Sequence, residues 1–513
     1  MSIFSLSTKE PIPILMAAIN AKYIHSALSL YCLKANLGYL QNQARILEFD
    51  IHRRPSEIAE QILQHQPRIL ALSLYLWNVE LAHQTLQLIR KIDSSIKIIL
   101  GGPEISYPAD LHPISELADY ILCGEGEIAF RELCQKILTG QIVHEKIIIS
   151  PQPNLEELQL PYDLYNEDSI LHRILYIETS RGCPFGCQFC LSSLDNHIRY
   201  FKRSLLFSSL EKLLARGAKQ FKFIDRTFNT HTEYAAEILQ FFLNRLDSIG
   251  SNLFLHFEAV PHLLPEPIRR LLPLFPPGTI QLEIGIQTLN SETSRRISRA
   301  PLADYSQYLK KIEDNIRWLR LNTGVHLHTD LIAGLPGETT MDFAHSFNTL
   351  LSWDPQEIQV GILKRLRGAP IDQHTHSWQM VYSPYPPYEI LKNKTLSYEE
   401  TCNIKRFARF WDLISNSGRF IHTTPLILNT FSSPFHSFMQ CTKWLFHRLG
   451  CQSEIALPRL ATLLEEYLSQ NCALPREEIN RIIENDLSHS RKKQKEKSAG
   501  HTARQIRRSS SPD

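Results

Sequence analysis

The sequence lacks a long apolar run and a disulfide framework, and both absences narrow the class of protein. The apolar stretch Ile14 to Ile19 is soon interrupted by Asn20 and Lys22, so we expect neither a signal peptide nor a membrane-spanning helix. Most cysteines are scattered singly, which is typical of buried thiols in a reducing compartment. We therefore predict a cytoplasmic protein without membrane insertion. The scattered cysteines are Cys32, Cys123, Cys134, Cys402, Cys441, Cys451 and Cys472.

The sequence also has little net charge, but its positive charge is unevenly distributed. The formal net charge is +2, whereas residues 491–513 carry eight Lys and Arg against Glu496 and Asp513, which is +6 and leaves −4 for the rest. Few apolar residues occur in this segment, which favours a disordered basic tail. Such a tail could contact nucleic acid, but a solubilising extension is the preferred interpretation.

Three further cysteines share one short loop. Cys183, Cys187 and Cys190 lie in Thr-Ser-Arg-Gly-Cys-Pro-Phe-Gly-Cys-Gln-Phe-Cys at 179–190. Their C-x3-C-x2-C spacing suits three irons of a cubane [4Fe–4S] cluster and leaves the fourth iron without a protein ligand. A structural zinc site would need a fourth Cys or His at short range, and none follows before His197. The spacing therefore favours an iron–sulfur cluster.

The surroundings of these cysteines carry a family resemblance. The apolar run Ile174 to Thr179 predicts a strand before the loop, and Gly182 and Gly186 would let the backbone fold closely around an inorganic core. The spacing in this context resembles the radical S-adenosylmethionine (SAM) superfamily, in which SAM chelates the open iron through its amino and carboxylate groups. The resemblance implies a [4Fe–4S] cluster, SAM and an electron donor such as flavodoxin or ferredoxin.

Residues 10–140 alternate strand-like and helix-like segments. Apolar runs separated by helices predict a parallel, doubly wound sheet, whose ligand site lies beyond the carboxyl ends of the strands. Loops with polar residues and glycine follow several of these strands, so functional loops should collect at one edge. The predicted strands are Ile12–Ile19, Ala44–Phe49, Ile69–Leu76, Ile96–Leu100 and Tyr120–Cys123.

This amino-terminal pattern resembles the cobalamin-binding domain that precedes many radical SAM domains. Ser73, Gly101 and Gly102 match the places where that family cradles the nucleotide tail of cobalamin. The family's Asp-x-His-x-x-Gly loop, which supplies an axial imidazole, is replaced here by a loop that ends at His25. We expect His25 to be a loop histidine rather than a cobalt ligand. The alternative is a sheet that has lost its cofactor.

Residues 141–170 read as a linker, and alternation resumes in residues 171–384. Six predicted parallel strands, with the cysteine loop after the first, resemble the partial (β/α)6 barrel of radical SAM enzymes, whose catalytic groups sit at the carboxyl ends of the strands. The predicted strands are Ile174–Thr179, Gln220–Asp225, Leu253–Ala259, Ile280–Gln287, Val325–Ala333 and Glu357–Lys364.

Residues 385–490 are helical in pattern and precede the tail at 491–513. They resemble the carboxy-terminal domain of a subgroup of cobalamin-type radical SAM proteins whose substrate is not established. The fold class is therefore α/β with a mainly helical third domain. The predicted helices are Tyr398–Ser415, Ser433–Leu449, Leu457–Leu468 and Arg476–Leu487.

The resemblance to radical SAM enzymes also implies residues that bind SAM. Asp225 and Thr227 lie where the superfamily binds the SAM amino group, and Glu258 ends a strand where it could accept from ribose hydroxyls. An isolated buried acid is costly without a partner. A structural ion pair between Glu258 and an arginine is therefore the alternative.

Two further runs match strand motifs of the family. In the fourth barrel strand, alternation points Glu283, Gly285 and Gln287 to one face. Gly285 would leave room for the adenosyl group, and Gln287 would position SAM or substrate. In the fifth strand Gly334 would permit backbone approach to adenine. Arg299 and its neighbours could bind a carboxylate, or form a solvated helix face.

Histidine pairs and tyrosines in the same part of the chain carry less information. His326 and His328 share a strand face, and His374 and His376 flank one residue, but neither pair has a third ligand at metal spacing. We assign both pairs to packing or to substrate polarity. The tyrosines near residue 385 more often pack than react.

The motifs favour an enzyme that cleaves SAM to a 5′-deoxyadenosyl radical and then transfers a methyl group from methylcobalamin to an unactivated carbon. A radical SAM oxidoreductase or rearrangement enzyme with a regulatory amino-terminal domain is the first alternative. An iron–sulfur redox sensor or RNA-binding protein is an alternative of another class. A methylthiotransferase would need a second cluster held by Cys32, Cys123 and Cys134, which we do not expect to converge. The substrate is not identified by the sequence.

Overall fold

The amino-terminal part is a parallel sheet covered by helices on both faces. The computed structural model describes residues 11–108, 112–250, 252–300 and 304–498. The strand order is β2-β1-β3-β4-β5-β6, with all neighbours parallel. The strands are β1 (Ile14–Asn20), β2 (Ala44–Asp50), β3 (Ile69–Ser73), β4 (Lys97–Gly101), β5 (Tyr120–Cys123) and β6 (Ile147–Ile149), and the helices are α1 (Leu28–Ala35), α2 (Pro55–Leu63), α3 (Val79–Ile92), α4 (Pro103–Ser106) and α5 (Glu127–Leu138).

Strand β1 shows why this sheet is buried on both faces. Its side chains alternate between two hydrophobic cores, with Leu15 and Ala17 in one and Ile14 and Met16 in the other. The chain reverses direction across the sheet between β1 and β3, because β2 lies on one side of β1 and β3 on the other. Ligands of such sheets bind at this reversal, beyond the carboxyl ends of the strands.

The central part is a second parallel sheet, with strand order β14-β13-β12-β11-β10-β7. Each strand is followed by at least one helix that covers the outside, which is the arrangement of an open (β/α)6 barrel. The small hairpin β8–β9 follows β7. The strands are β7 (Leu175–Ile177), β8 (Ser180–Arg181), β9 (Arg199–Tyr200), β10 (Gln220–Phe223), β11 (Phe254–Ala259), β12 (Ile280–Gln287), β13 (His326–Ala333) and β14 (Glu357–Ile362).

Helices line the outside of this sheet and precede its first strand. Their apolar faces share one hydrophobic core with the strands, and that core continues into the carboxy-terminal helices. The helices are α6 (Glu167–His172), α7 (Arg203–Ala215), α8 (Thr232–Leu243), α9 (Leu246–Ile249), α10 (Glu266–Leu271), α11 (Ser291–Arg296), α12 (Tyr305–Asn322) and α13 (Thr340–Ser352).

The carboxy-terminal part is mainly helical, and its first helix begins where the sequence indicates. Ser397 accepts from the backbone of Glu400 while the Glu400 carboxylate accepts from the backbone of Ser397, which forms a capping box. Phe407 and Trp411 then pack against Phe347 of the barrel. The elements are β15 (Val381–Tyr382), β16 (Ile390–Lys392), α14 (Tyr398–Trp411), α15 (Thr423–Leu428), α16 (Pro434–Leu449), α17 (Leu457–Asn471) and α18 (Arg476–Ser498).

The structure confirms the predicted α/β class with two parallel sheets and a helical third part. It adds β6, which lies within the segment interpreted as a linker and pairs with β5. It also continues α18 through Ser498, into the segment predicted as a tail, while residues 499–513 lie outside the described residues. Across the described ranges, no helix is both long and apolar enough to cross a membrane.

Candidate cofactor site

The cysteine loop, residues 182–190, is held close to the end of β7. Cys183 and Cys187 are buried and Cys190 is partly exposed. The amide of Cys183 donates to the carbonyl of Asp195 at 2.9 Å, and that of Cys190 donates to the carbonyl of Cys187 at 3.0 Å. Burial raises the pKa of the Cys183 thiol, and Cys190 and Cys187 raise it further. The three thiols are therefore close enough to interact.

The two glycines of the loop differ in what they permit. Gly182 has φ +94°, and a Cβ there would lie 2.1 Å from the carbonyl oxygen of His197, so only glycine fits. A Cβ at Gly186 would meet nothing within 4 Å. Gly182 therefore allows a close approach to the chain at His197, and the folding of the loop around an inorganic core stays a prediction for both glycines.

An arginine lies against the cysteine loop. Nη1 of Arg299 donates to Sγ of Cys187 at 3.5 Å, and Nη2 of Arg299 donates to the carbonyl of Gly285. Arg299 thus ties the loop to the end of β12 and brings a positive charge to the thiols. A thiolate is the iron ligand, and a nearby cation favours it. Arg299 therefore faces the thiols and is not part of a solvated helix face.

The donor set fits a cubane cluster better than a single ion. Within the described ranges, no three His, Cys, Asp or Glu side chains are grouped as they would be around one metal ion. In a cubane each thiolate binds a different iron, so the sulfurs lie farther apart than around one ion. Three cysteines in one loop, two of them buried, supply the three thiolates that such a cluster takes.

Asp225 is buried at the end of β10 and holds the chain that leads into the cysteine loop. Its carboxylate accepts from the hydroxyl of Thr179 at 2.7 Å, from the hydroxyl of Ser180 at 2.5 Å and from the amide of Thr179. Burial raises the pKa of Asp225, and these hydrogen bonds oppose the rise. Thr227 lies beyond it and accepts from Thr230. The Asp225 contacts are thus made within the protein.

Glu258, at the end of β11, forms an ion pair with Arg226. Nη1 of Arg226 lies 3.2 Å from Oε1 and 3.3 Å from Oε2 of Glu258. The Glu258 side chain remains 20% exposed. The ion pair with an arginine, which was the alternative for Glu258, is therefore present. The guanidinium of Arg226 stabilises the ionised carboxylate, which burial alone would disfavour.

Glu283 lies beside Glu258 in the register of β11 and β12 and has its own partners. Nζ of Lys222 is 3.6 Å and Nε2 of His256 is 3.0 Å from Oε2 of Glu283. Burial opposes ionisation, but Lys222 and His256 hold the pKa of Glu283 below its usual range. Burial and the charge of Lys222 lower the pKa of His256 to about 4, so this imidazole is neutral at pH 7.

A second group of polar side chains continues this row across β13 and β14. His328 lies 3.2 Å from Asp330 and 3.1 Å from Glu357, and His326 lies 2.9 Å from Glu357. Burial lowers the pKa of His328, but these hydrogen bonds raise it well above its ordinary value. The two carboxylates therefore favour the protonated form of His328. Alternating polar residues in β10, β11 and β13 were the only sequence signal of this row.

A bulge at the end of β12 sets the position of Gln287. The register shifts between Gly285 and Gln287, and Gln287 has a positive φ of +71°. A Cβ at Gly285 would lie 2.4 Å from Nε2 of Gln287 and 3.5 Å from Nη2 of Arg299. The space that Gly285 leaves is therefore filled by the Gln287 amide and the Arg299 guanidinium, where we expected the adenosyl group.

The segment that follows the fifth barrel strand, β13, also serves packing. Gly334 has φ +92°, and a Cβ there would lie 2.5 Å from Cγ2 of Ile390, so this glycine lets the carboxy-terminal part approach. Glu338, four residues later, is buried and accepts from the hydroxyl of Thr288 at 2.5 Å. Burial raises the pKa of Glu338 to about 8.

The predicted cobalamin residues lie together at the carboxyl edge of the amino-terminal sheet. Ser73 and Gly101 end adjacent strands and are paired in the register. Ser73 Oγ is 3.3 Å from Oγ of Ser29. Gly102 has φ +99°, and a Cβ there would lie 2.5 Å from the carbonyl oxygen of Leu74. Gly102 therefore allows the chain after β4 to pack closely on Leu74, beside the β1–β3 reversal, and the role of these residues in holding cobalamin stays a prediction.

His25, in the loop after β1, has a partner in the barrel. Its Nδ1 lies 2.6 Å from the hydroxyl of Tyr176, and its backbone pairs with Ile174. Burial, with Lys222 and Lys22, lowers the pKa of His25 to about 4. This histidine is therefore a half-buried contact between the two sheets.

Two further contacts join the same edge to the rest of the chain. Arg181, just before the cysteine loop, bonds to Glu125 and Glu127 of the loop after β5. The hydroxyl of Tyr388 donates to Oε1 of Glu104 at 2.7 Å. Sequence reasoning missed both contacts, since they join residues that are far apart in the chain.

The amino-terminal cysteines do not converge. Cys32, Cys123 and Cys134 belong to three separate hydrophobic clusters. Burial raises the pKa of each thiol, which disfavours the thiolate that an iron needs. The described residues thus offer no second cluster of the kind that a methylthiotransferase would require.

Three family models match successive parts of the chain. The one described as "B12 binding domain" matches residues 14–134, the one described as "Radical SAM superfamily" matches residues 177–350, and the one described as "Protein of unknown function (DUF4080)" matches residues 376–510. These matches confirm the predicted resemblances. They also confirm the predicted cofactors, a [4Fe–4S] cluster and SAM for one domain and cobalamin for the other.

Curated relatives share part of the chain. A protein of Pyrococcus horikoshii described as an uncharacterized methyltransferase is 27% identical over 181 residues, which are 30% of this chain and 38% of the relative. The ribosomal protein uS12 methylthiotransferase RimO of Roseobacter denitrificans is 25% identical over 190 residues, which are 35% of this chain and 38% of the relative. The chain thus matches less than half the length of these relatives.

Solved structures share the fold. The cobalamin-dependent SAM radical enzyme OxsB, with aqua-cobalamin and SAM bound, has a TM-score of 0.58 and 15% identity and covers 96% of this chain and 82% of its own. The radical SAM methyltransferase TsrM of Kitasatospora setae has a TM-score of 0.54 and 16% identity, with 70% and 75% covered. According to the family matches, the chain has a B12 binding domain, a radical SAM domain and a DUF4080 domain in this order.

Proposed function

We propose that this protein is a cobalamin-dependent radical SAM enzyme that transfers a methyl group to an unactivated carbon. One observation carries the proposal: the loops at the carboxyl edges of the two parallel sheets touch each other. Arg181 precedes the cysteine loop by one residue, and it contacts Glu125 and Glu127 at 2.6 Å each. Because sheets of both kinds bind ligands at those edges, the two cofactor sites would face one space.

The cofactors supply the reactive chemistry and the chain supplies position. When bound, the cluster would supply the electron for cleavage of SAM to methionine and a 5′-deoxyadenosyl radical, and cobalamin would carry the methyl group. Cys183, Cys187 and Cys190 would hold the cluster, and Arg299 would offset its negative charge. Ser73, Gly101 and Gly102 would hold the cobalamin tail, with His25 engaged by Tyr176.

The predicted SAM residues have distinct supporting roles in this proposal. Glu258, Glu283 and Gln287 end or line adjacent strands beside the cysteine loop, and the side chains of the two acids are about one-fifth exposed. They remain available to SAM hydroxyl and amino groups. Asp225 would act by fixing Thr179 and Ser180 ahead of the loop. Gly285 and Gly334 would shape the strand ends.

The proposal places the enzyme in the cytoplasm with a one-electron donor such as flavodoxin or ferredoxin. Buried thiols outside the cysteine loop suit a reducing compartment. A radical SAM reaction without methyl transfer is the second candidate, because the barrel site alone would support it. The substrate is left open.

The deciding experiment uses anaerobically reconstituted full-length protein with cobalamin, SAM and dithionite. Retained cobalamin, with both 5′-deoxyadenosine and S-adenosylhomocysteine formed, would support methyl transfer. Loss of cobalamin on dialysis at micromolar concentration, with deoxyadenosine still formed, would replace it by the second candidate. An intact cluster that yields no deoxyadenosine would favour a redox sensor.

A further inference from the structure

A buried arginine beside the cysteine loop contacts three carboxylates, two of which belong to the B12 binding domain. Nη1 of Arg181 lies 2.6 Å from Glu125, and its Nη2 lies 2.6 Å from Glu127 and 3.0 Å from Glu178. The Arg181 side chain is only 12% exposed. We call this group of four residues, together with Arg199, the Arg181 junction.

On the barrel side the junction belongs to the frame of the cysteine loop. Arg181 in β8 pairs with Arg199 in β9, and this hairpin closes the chain before and after the cysteines. Arg199 contacts Glu125 as well, and its Nη2 lies 3.1 Å from Asp195. The carbonyl of Asp195 in turn accepts from the amide of Cys183. A shift of this hairpin would therefore move the first cysteine.

On the amino-terminal side the junction belongs to the edge of the cobalamin site. Glu125 and Glu127 lie in the β5 loop, residues 124–127, which follows β5 and begins α5. Gly124 has φ +90°, and a Cβ there would lie 3.1 Å from the carbonyl oxygen of Ser150, so the β5 loop turns tightly. Any movement of Glu125 and Glu127 would therefore also move the carboxyl edge of the amino-terminal sheet.

The charges of the Arg181 junction depend on one another, since one arginine balances several carboxylates. Arg181 faces three mostly buried carboxylates. It donates to Glu178 twice, from Nε at 3.2 Å and from Nη2 at 3.0 Å, and once each to Glu125 and Glu127. Burial raises the pKa of Glu178, and Arg181 opposes the rise. Breaking a buried pair by removing one partner leaves an uncompensated charge. A lysine cannot reproduce the three contacts, because it lacks the planar fork of the guanidinium.

We propose that Arg181 is a positioning residue that couples the order of the cysteine loop to the order of the β5 loop. Assembly of the cluster then orders the edge of the cobalamin site. The inference rests on the proposed function only through the cluster and needs no cobalamin for its test.

The test is hydrogen–deuterium exchange of the β5 loop in full-length protein, with and without reconstituted iron and sulfide. In the wild type we expect reconstitution to slow amide exchange at residues 124–127 by about tenfold, within the usual range of coupling between sites. Arg181→Met should abolish the difference, and Arg181→Lys should restore part of it. A β5 loop whose exchange does not respond to the cluster in the wild type would overturn the proposal.

A double variant keeps the test decisive if Arg181→Met loads iron poorly. Glu125→Gln with Glu127→Gln lies outside the cysteine loop, so we expect wild-type iron content and no iron-dependent protection. Full protection in the double variant would overturn the proposal. Glu211→Gln is the matched control, since its ion pair with Arg245 lies on an exposed helix face and should change nothing. Formation of 5′-deoxyadenosine by the same wild-type sample tests the proposed function separately from the coupling between the two loops.

Discussion

The hydroxyl of Tyr176 lies 2.6 Å from Nδ1 of His25, and this contact joins the loop after β1 to the first strand of the barrel. A ring nitrogen engaged in this way orients the imidazole toward the barrel. Burial also keeps the ring neutral, because the pKa of His25 is lowered to about 4. The loop after β1, which carries an axial histidine in the best-known form of the family, thus holds an interdomain contact here.

The first prediction follows from this contact. Bound cobalamin should have its own benzimidazole displaced, and His25→Ala should leave its visible spectrum nearly unchanged. Tyr176→Phe, which removes the partner and keeps the ring, should also leave the spectrum unchanged. A spectral shift in His25→Ala would show that His25 is a cobalt ligand.

The second prediction concerns the bulge at Gln287. A positive φ at a residue other than glycine costs about 1–3 kcal/mol, so Gln287→Gly should raise the free energy of unfolding by about 1 kcal/mol or leave it unchanged once the added freedom of the unfolded chain is counted. The same variant should weaken SAM binding, as calorimetry would measure. Gln287→Asn tolerates this φ and serves as the control with a shorter amide. Unchanged SAM affinity in both variants would mean that the bulge serves only the sheet.

The third prediction separates two roles of Glu258. If Glu258 binds the SAM ribose, Glu258→Gln should weaken SAM binding by about 1–3 kcal/mol, because a charge-assisted hydrogen bond is lost. Arg226→Met removes the partner at 3.2 Å and should lower stability with a smaller effect on SAM affinity. Equal SAM affinity in wild type and Glu258→Gln would reduce Glu258 to a structural ion pair.

The fourth prediction concerns pH and Glu338. Its pKa is raised from 4.5 to about 8 by burial, so the folded protein keeps a proton that the unfolded chain releases. Stability from this group is therefore fully present below pH 4.5 and is lost as the pH rises through about 8, by at most about 1.4 kcal/mol per pH unit.

Glu338→Gln tests this by mimicking the protonated acid at every pH. Its carbonyl can still accept from Thr288, which donates to Glu338 at 2.5 Å. Urea denaturation should give similar stabilities for both proteins at about pH 5 and a more stable variant at about pH 9. Parallel pH profiles would mean that Glu338 is ionised when folded.

The sequence predicts the strands and the cysteine loop because both depend on local pattern. Buried parallel strands are continuous apolar runs, and cluster ligands share one short loop. Strand β6 was not predicted, because its three isoleucines form a strand only by pairing with β5. The partners of polar side chains were not predicted either, because Arg226 contacts Glu258 and Arg181 contacts Glu127 only after the strands are assembled. Gly285 and Gly334 were identified, but their neighbours Gln287 and Ile390 depend on tertiary structure.

The most direct test of the account measures iron, sulfide and 5′-deoxyadenosine in one anaerobic experiment. Wild-type protein should bind about four irons per chain and, with dithionite and SAM, form deoxyadenosine slowly without substrate. The variant with Cys183, Cys187 and Cys190 all replaced by Ala should lose both the cluster and the product. A triple variant that keeps its full iron and sulfide would contradict the account, because the cluster would then lie elsewhere.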